Sequence, residues 1–230
     1  MTYTGFTAEH NYKNSHVYQM DCMELMRQTP DNYFDLGVVD PPYGLGFDGQ
    51  KKSTSSHGGR KAFPFKGWDS ARPPKDYFKE LFRVTKNQII WGGNYFANHL
   101  PSSMGWIFWD KGQRIRNSDG ELAFTSFDKA LRVFELNRVF LQTEGGSIHP
   151  TQKPIALYSW ILDNYAKPGW KILDTHLGSQ SSRIAAYKKG FEFWATELDA
   201  YYFNEGNERF MKAVKMPLFE NLPPEQLQMF

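Results

Sequence analysis

The spacing of apolar residues restricts this chain more than any other feature. Short apolar runs at 34–39, 88–91, 106–109, 122–127, 130–134, 170–173 and 192–196 alternate with helix-period stretches at 21–28, 76–84, 155–165, 181–189 and 199–215. Several of the runs are apolar at successive positions, as strands buried on both faces are, while the stretches between them repeat every three to four residues. This alternation predicts an α/β fold: a doubly wound, Rossmann-like sheet, mostly parallel, with an antiparallel edge from the adjacent β runs after Trp106. Ligands of such sheets bind at the carboxyl ends of the strands. The polar residues that close the apolar runs are therefore the first candidates for chemistry.

A chain of 230 residues can bury one substantial core, and we expect a single domain over 1–230. The formal net charge of +2 means that any nucleic-acid contact must come from local clusters of Lys and Arg. A single cysteine, Cys22, excludes an internal disulfide framework and fits a reducing cytoplasm. The N-terminal segment is polar, and no apolar stretch has bilayer length, so no membrane partner is expected. His10, His16, His57, His99, His149 and His176 lack paired spacing with carboxylates or thiols, and no metal site is expected. Walker, nucleophile-elbow and three-glycine dinucleotide motifs are missing too, which argues against nucleotidase, hydrolase and nicotinamide chemistry.

Asp40-Pro41-Pro42-Tyr43 directly follows the run 34–39. A carboxylate and the Pro41 carbonyl can each accept one hydrogen of a planar amine, favouring the pyramidal geometry that the amine takes as a bond forms at nitrogen. The two prolines stiffen the turn, and Tyr43 offers a ring face. Asp174-Thr175-His176-Leu177-Gly178-Ser179 follows the run 170–173 and opens a helix, where free amides and a glycine can cradle a polar ligand. Glu197 closes the next run, about twenty residues beyond the glycine turn, the spacing at which an acid accepts ribose hydroxyls. His149-Pro150-Thr151-Gln152-Lys153-Pro154 places a His and a Lys where a simple turn needs neither.

In their order, these blocks resemble the β-class DNA amino-methyltransferases, in which the catalytic tetrapeptide precedes the cofactor segment in a circularly permuted arrangement. The segments 18–26 and 30–35 resemble the family's N-terminal block, and 149–154 with 173–179 its cofactor block. The resemblance implies a seven-stranded sheet, S-adenosylmethionine as methyl donor, and a base flipped out of double-stranded DNA. It implies that Asp40, Pro41, Pro42 and Tyr43 hold the base, Asp21 and Cys22 the cofactor adenine, and Glu197 the ribose. His149, Thr151 and Lys153, with Asp174, Thr175, His176, Leu177, Gly178 and Ser179, would hold the rest of the cofactor, Lys153 and the glycine turn at its methionyl end. Asp at position 40 resembles members that methylate adenine N6, with cytosine N4 as the alternative. A homodimer and a cognate restriction endonuclease are partners that the family admits.

Two departures stand out. The family shows Asp-Pro-Phe and a second glycine where this chain has Asp174-Thr175-His176 and Gln180, so that Gln180 is expected to crowd the cofactor and His176 to pack on it less well. An RNA methyltransferase, or a nucleic-acid-binding protein that has lost transfer, therefore stays open. For DNA contact, the glycine-rich segment 48–66, expected to be mobile, supplies Lys51, Lys52, Arg60 and Lys61. Arg114 and Arg116 belong to a short target-recognition region at about 111–146.

Overall fold

A computed structural model of the chain describes residues 3–52, 61–112, 118–137 and 139–215. Its elements, in chain order, are β1 (Ala8–Tyr12), β2 (Ser15–Gln19), α1 (Cys22–Arg27), β3 (Phe34–Val39), α2 (Lys75–Val84), β4 (Thr85–Trp91), β5 (Trp106–Asp110), β6 (Gly120–Thr125), β7 (Arg132–Glu135), α3 (Phe140–Thr143), α4 (Ile155–Tyr165), β8 (Lys171–Asp174), α5 (Ser181–Lys188), β9 (Glu192–Glu197) and α6 (Ala200–Lys215). The strands form one nine-stranded sheet in the order β1-β2-β9-β8-β3-β4-β6-β5-β7.

The run of successive apolar residues in each central strand has a direct cause: helices cover both faces. Val38, Ile89 and Ile172 pack with Leu157 and Ile161 of α4 and Ala185 of α5. Their neighbours Val39, Ile90 and Leu173 pack on the other face with Leu25 of α1 and Tyr77, Phe78 and Leu81 of α2. Since side chains alternate along a strand, two covered faces require an apolar residue at every position.

Strands β2, β9, β8, β3 and β4 run parallel. From β3 the chain moves to β4 on one side, and from β8 it moves to β9 on the other. The adjacent pair β3–β8 is thus the point where the winding reverses, and the crevice at its carboxyl ends is where doubly wound sheets bind ligands. Asp40 follows β3 there, and Asp174 ends β8.

Two expectations change. The sheet has nine strands rather than seven, because β1 and β2 extend it beyond β9. Two strands run antiparallel to their neighbours: β1, at the edge beside β2, and β6, which lies inside the sheet between β4 and β5 and opposes both, whereas the rim strand β7 is parallel to β5. Within 111–146 the sheet takes β6 and β7, and β6 places Ala123 and Phe124 in the two cores. Among the described residues no helix is long and apolar enough to cross a membrane.

Candidate active site

Directly after β3, the Asp40 carboxylate has both oxygens engaged. The Tyr43 hydroxyl donates to Oδ1 at 2.6 Å, and the Lys153 ammonium donates to Oδ2 at 2.5 Å. Lys153, its side chain only 3% exposed, also meets Glu121 Oε2 at 3.0 Å, and Lys111 meets the other oxygen of Glu121 at 2.7 Å. The row Lys111–Glu121–Lys153–Asp40–Tyr43 thus crosses from the end of β5, by way of β6, to the turn after β3. The Tyr43 ring stacks on Tyr95 at 5.0 Å and 20°. Gly92, in the left-handed region at φ +71°, makes room for it, since a Cβ there would collide with the Tyr43 ring.

Burial pushes the Asp40 carboxyl above the usual range, against the pull of Lys153. Burial likewise works against the Lys153 ammonium, but Asp40 and Glu121 outweigh it and hold its pKa above the ordinary value. For Glu121, burial is outweighed by Lys153 and Lys111, which hold its carboxyl down at about 2. Glu121 is the charge that lets two buried lysines stand together.

The second cluster sits at the ends of β8 and β9. Gly178, at φ +49°, donates its N–H to Glu197 Oε2 at 2.7 Å, and a Cβ there would approach the His149 ring at 3.6 Å. Glu197 Oε1 accepts from the Asp199 amide at 2.9 Å, and burial raises the Glu197 carboxyl to about 6. Asp174 is buried, accepts from Ser182 Oγ at 2.6 Å and from the His176 amide at 3.1 Å, and is pushed up to about 7 by burial. Thr175 bonds the Tyr77 hydroxyl at 2.7 Å and His176 Nδ1 at 2.9 Å, and the His176 ring stands edge-on to Tyr77. Leu177 and Ser179 are buried in the turn. Asp21, just past β2, caps α1 by accepting from the Met23 amide at 2.7 Å, beside Cys22. Gln19 of β2 lies in register with Glu197 of β9, so these groups share one edge of the sheet.

The segment 149–154 joins the two clusters. The His149 ring approaches Gly178, stacks on Trp68 at 5.1 Å and meets Tyr202 edge-on at 4.3 Å, while its Nδ1 lies 3.2 Å from Thr151 Oγ1. Lys153, expected at the methionyl end of the cofactor, is directed instead at Asp40 and Glu121, because two carboxylates offer a buried ammonium its compensation there. A cavity of about 1210 Å³ opens on the Asp40 side, lined by Asp40 to Tyr43, Tyr95, Trp68, Glu121 and Lys153; Gly178 and Glu197 are not in its wall.

Gln180 also departs from expectation. It is fully buried at φ +63°, and its amide reaches Asn207 at 2.9 Å and accepts from Arg183 at 2.9 Å. It points under α6, where Gly206 leaves it space, and not into the crevice. Lys51, Lys52 and Lys61 are exposed near the cavity, with Lys61 in its wall. Arg60, Arg114 and Arg116 lie outside the described residues.

The family model described as DNA methylase, for the N6/N4 enzymes, matches residues 104–208. The matched span includes the glycine turn, Glu197, Lys153 and Glu121, whereas Asp40 precedes it, in keeping with a permuted order. The chain is 24% identical to an Escherichia coli (strain K12) protein named "Putative methylase YubD" over 85% of this chain and 89% of that one. Among solved structures, the M1.HpyAVI–SAM complex aligns with a TM-score of 0.57 at 17% identity, covering 84% of this chain and 98% of that one. The PvuII cytosine-N4-specific DNA methyltransferase aligns with a TM-score of 0.61 at 13% identity, covering 98% and 94%. These likenesses place the chain in the methylase fold.

Sequence reasoning missed Glu121, Lys111, Tyr95 and Trp68. Only Glu121 left a readable signal: a lone acid in an otherwise apolar strand demands a buried cation.

Proposed function

We propose that this methylase transfers a methyl group from S-adenosylmethionine to the exocyclic amine of a base flipped out of double-stranded DNA, with adenine N6 as the target. The observation that carries this reading is the convergence of Asp40 with the glycine turn at the reversal point of the sheet, bridged by segment 149–154. Asp at position 40 favours adenine by resemblance. Cytosine N4 is the second reading, favoured by the alignment with the PvuII cytosine-N4 enzyme.

The residues present fit the cofactor. Each oxygen of Glu197 keeps a second acceptor position for a ribose hydroxyl beyond its backbone bond. Gly178 has no side chain to fill the crevice, and His149, with a pKa lowered to about 3 by burial, stays neutral beside it. Asp21 and Cys22 would hold the adenine, Glu197 the ribose, and His149, Thr151 and the 174–179 turn the methionyl end. When bound, the cofactor supplies a methyl group activated on a sulfonium.

An exocyclic amine is a weak nucleophile because its lone pair is delocalised into the ring. Asp40 and the Pro41 carbonyl accept its two hydrogens and hold the lone pair out of the ring plane. Lys153 keeps Oδ2, so Oδ1 is the oxygen that changes donors, from the Tyr43 hydroxyl to the base amine. Tyr43, backed by Tyr95, then stacks on the base. The proton leaves once the amine is methylated and acidic, and water takes it without a dedicated base. Alignment of the reacting groups supplies much of the rate, up to ~7–11 kcal/mol.

The test is incorporation of tritium from labelled S-adenosylmethionine into unmethylated duplex DNA, with nucleoside digestion to identify the product. Label in N6-methyl-2′-deoxyadenosine for the wild type and none for Asp40→Ala is expected. Label in N4-methyl-2′-deoxycytidine selects the second reading, and label in RNA alone, or in neither nucleic acid, overturns the proposal.

A further inference from the structure

Two large aromatic side chains stand in solvent beside the catalytic cavity: Phe47 is 58% exposed and Phe65 is 62% exposed, and both line its wall. An exposed phenyl ring forfeits the hydrophobic stabilisation that draws such rings inside. Nor does a loose backbone account for it. The Asp69 carboxylate accepts from the amides of Gly44 at 2.8 Å, Leu45 at 3.3 Å and Phe47 at 2.8 Å. Asp48 Oδ2 accepts from the amides of Lys66, at 2.7 Å, and Gly67. Gln50 and Phe63 exchange backbone hydrogen bonds of 3.0 and 2.8 Å. The two segments touch at Gly49, where a Cβ would lie 2.8 Å from the Phe65 Cα. Phe47 and Phe65 are therefore held out by two segments pinned to each other and to the turn after Asp40.

Their surroundings select the occupant. Lys51, Lys52 and Lys61 are exposed on the same two segments, so the apolar pair is flanked by cations. A polyanion with an apolar interior matches that pattern, and duplex DNA has one in its stacked bases.

We propose that Phe47 and Phe65 form a wedge that enters the base stack as the target base leaves it for Asp40, offsetting the lost stacking while the lysines hold the backbone. This rests on the methyl-transfer reading above and adds to it the surface that extracts the base. A wedge is needed in proportion to how firmly the target base is paired.

The experiment compares the wild type with Phe47→Ala/Phe65→Ala on two duplexes containing a site mapped from wild-type methylation. In one the target base is paired, and in the other it is mispaired. The expected result is a loss of about 10- to 100-fold in kcat/KM on the paired duplex, nearly abolished on the mispaired one. Equal activity of variant and wild type on paired DNA overturns the wedge, as does an equal loss on both duplexes. A concentration-dependent dimer of the wild type that the variant lacks, together with unchanged kcat/KM, assigns the rings to a second copy instead and also overturns it. A thermal midpoint of the variant no lower than that of the wild type excludes unfolding as the cause of a loss. Absence of transfer by the wild type to either duplex removes the methyl-transfer reading itself and this inference with it.

Discussion

Replacing Glu121 by Gln keeps the shape of the side chain and removes the charge that separates two buried lysines. The carboxyl is lowered from 4.5 to about 2, with burial already set against the pull of Lys153 and Lys111. At ~1.4 kcal/mol per unit this corresponds to ~3 kcal/mol of stability. The loss known for removing one partner of a buried pair, ~3–5 kcal/mol, agrees. Since the Glu121 side chain is 25% exposed, the lower figure is the better one. Against a usual total of ~5–15 kcal/mol, a deficit of ~3 kcal/mol is readily measured. Urea denaturation of the wild type, Glu121→Gln, Lys111→Met and the double variant forms a cycle. The coupling expected is at least ~1.5 kcal/mol, because without Glu121 the Lys111 charge has lost the acid it pairs with and repels Lys153. The pH dependence has a definite sign. A depressed carboxyl contributes its stability in full above the unfolded value, so the deficit stays constant from pH 8 to about 5 and shrinks only as pH falls below 4.5 toward 2. An additive cycle, or a Glu121→Gln variant as stable as the wild type at pH 7, refutes the reasoning.

Two further outcomes follow from buried groups near the glycine turn. Asp174 is raised from 3.8 to about 7 by burial, so its ionisation opposes folding: its contribution is full below the unfolded value and is lost as pH rises through about 7. The stability of Asp174→Asn relative to the wild type should therefore improve between pH 4 and 8, with a ceiling of ~4 kcal/mol, and a flat difference in paired urea titrations contradicts this. Gly206→Ala brings a Cβ to 2.6 Å from the Gln180 Cγ and should cost ~1–3 kcal/mol in the wild type, with most of that cost recovered when the same substitution is made in a Gln180→Gly background, measured against Gln180→Gly itself because that variant has already lost the Arg183 acceptor. No recovery in thermal melts places the strain elsewhere.

The central strands were legible because two covered faces leave no position for a polar residue, as the pair Val38 and Val39 illustrates. Strand β1 escaped because it is an edge: Ala8–Tyr12 alternates half-buried and exposed residues and carries no apolar run. In β2 only Val17 and Tyr18 are strongly apolar, and its burial comes from pairing with β9, a strand far along the chain. The inverted place of β6 was equally illegible, since period and composition say nothing of strand direction. In the site, the positions of Asp40, Gly178 and Glu197 at strand ends follow from local pattern. The partner of Lys153 does not, because Glu121 lies on a strand whose neighbours in the sheet are set by the whole fold.

Gln180 shows why a departure from a family pattern must be read through the backbone. A glycine at such a turn invites the view that the missing side chain makes room for ligand, and that any replacement blocks it. At φ +63° the conformation is one that glycine accepts freely and glutamine accepts at a cost of about 1 kcal/mol or more. That cost is offset on the side away from the crevice. The amide of Gln180 joins Asn207 and the buried Arg183 guanidinium, which has Ser15 and His10 as further partners. A glycine at 180 would leave Arg183 short of an acceptor and α6 facing a void at Gly206. The exchange of Gly for Gln at this turn is thus balanced by Gly206, and it bears on how α6 is held against α5 rather than on the space left for the cofactor.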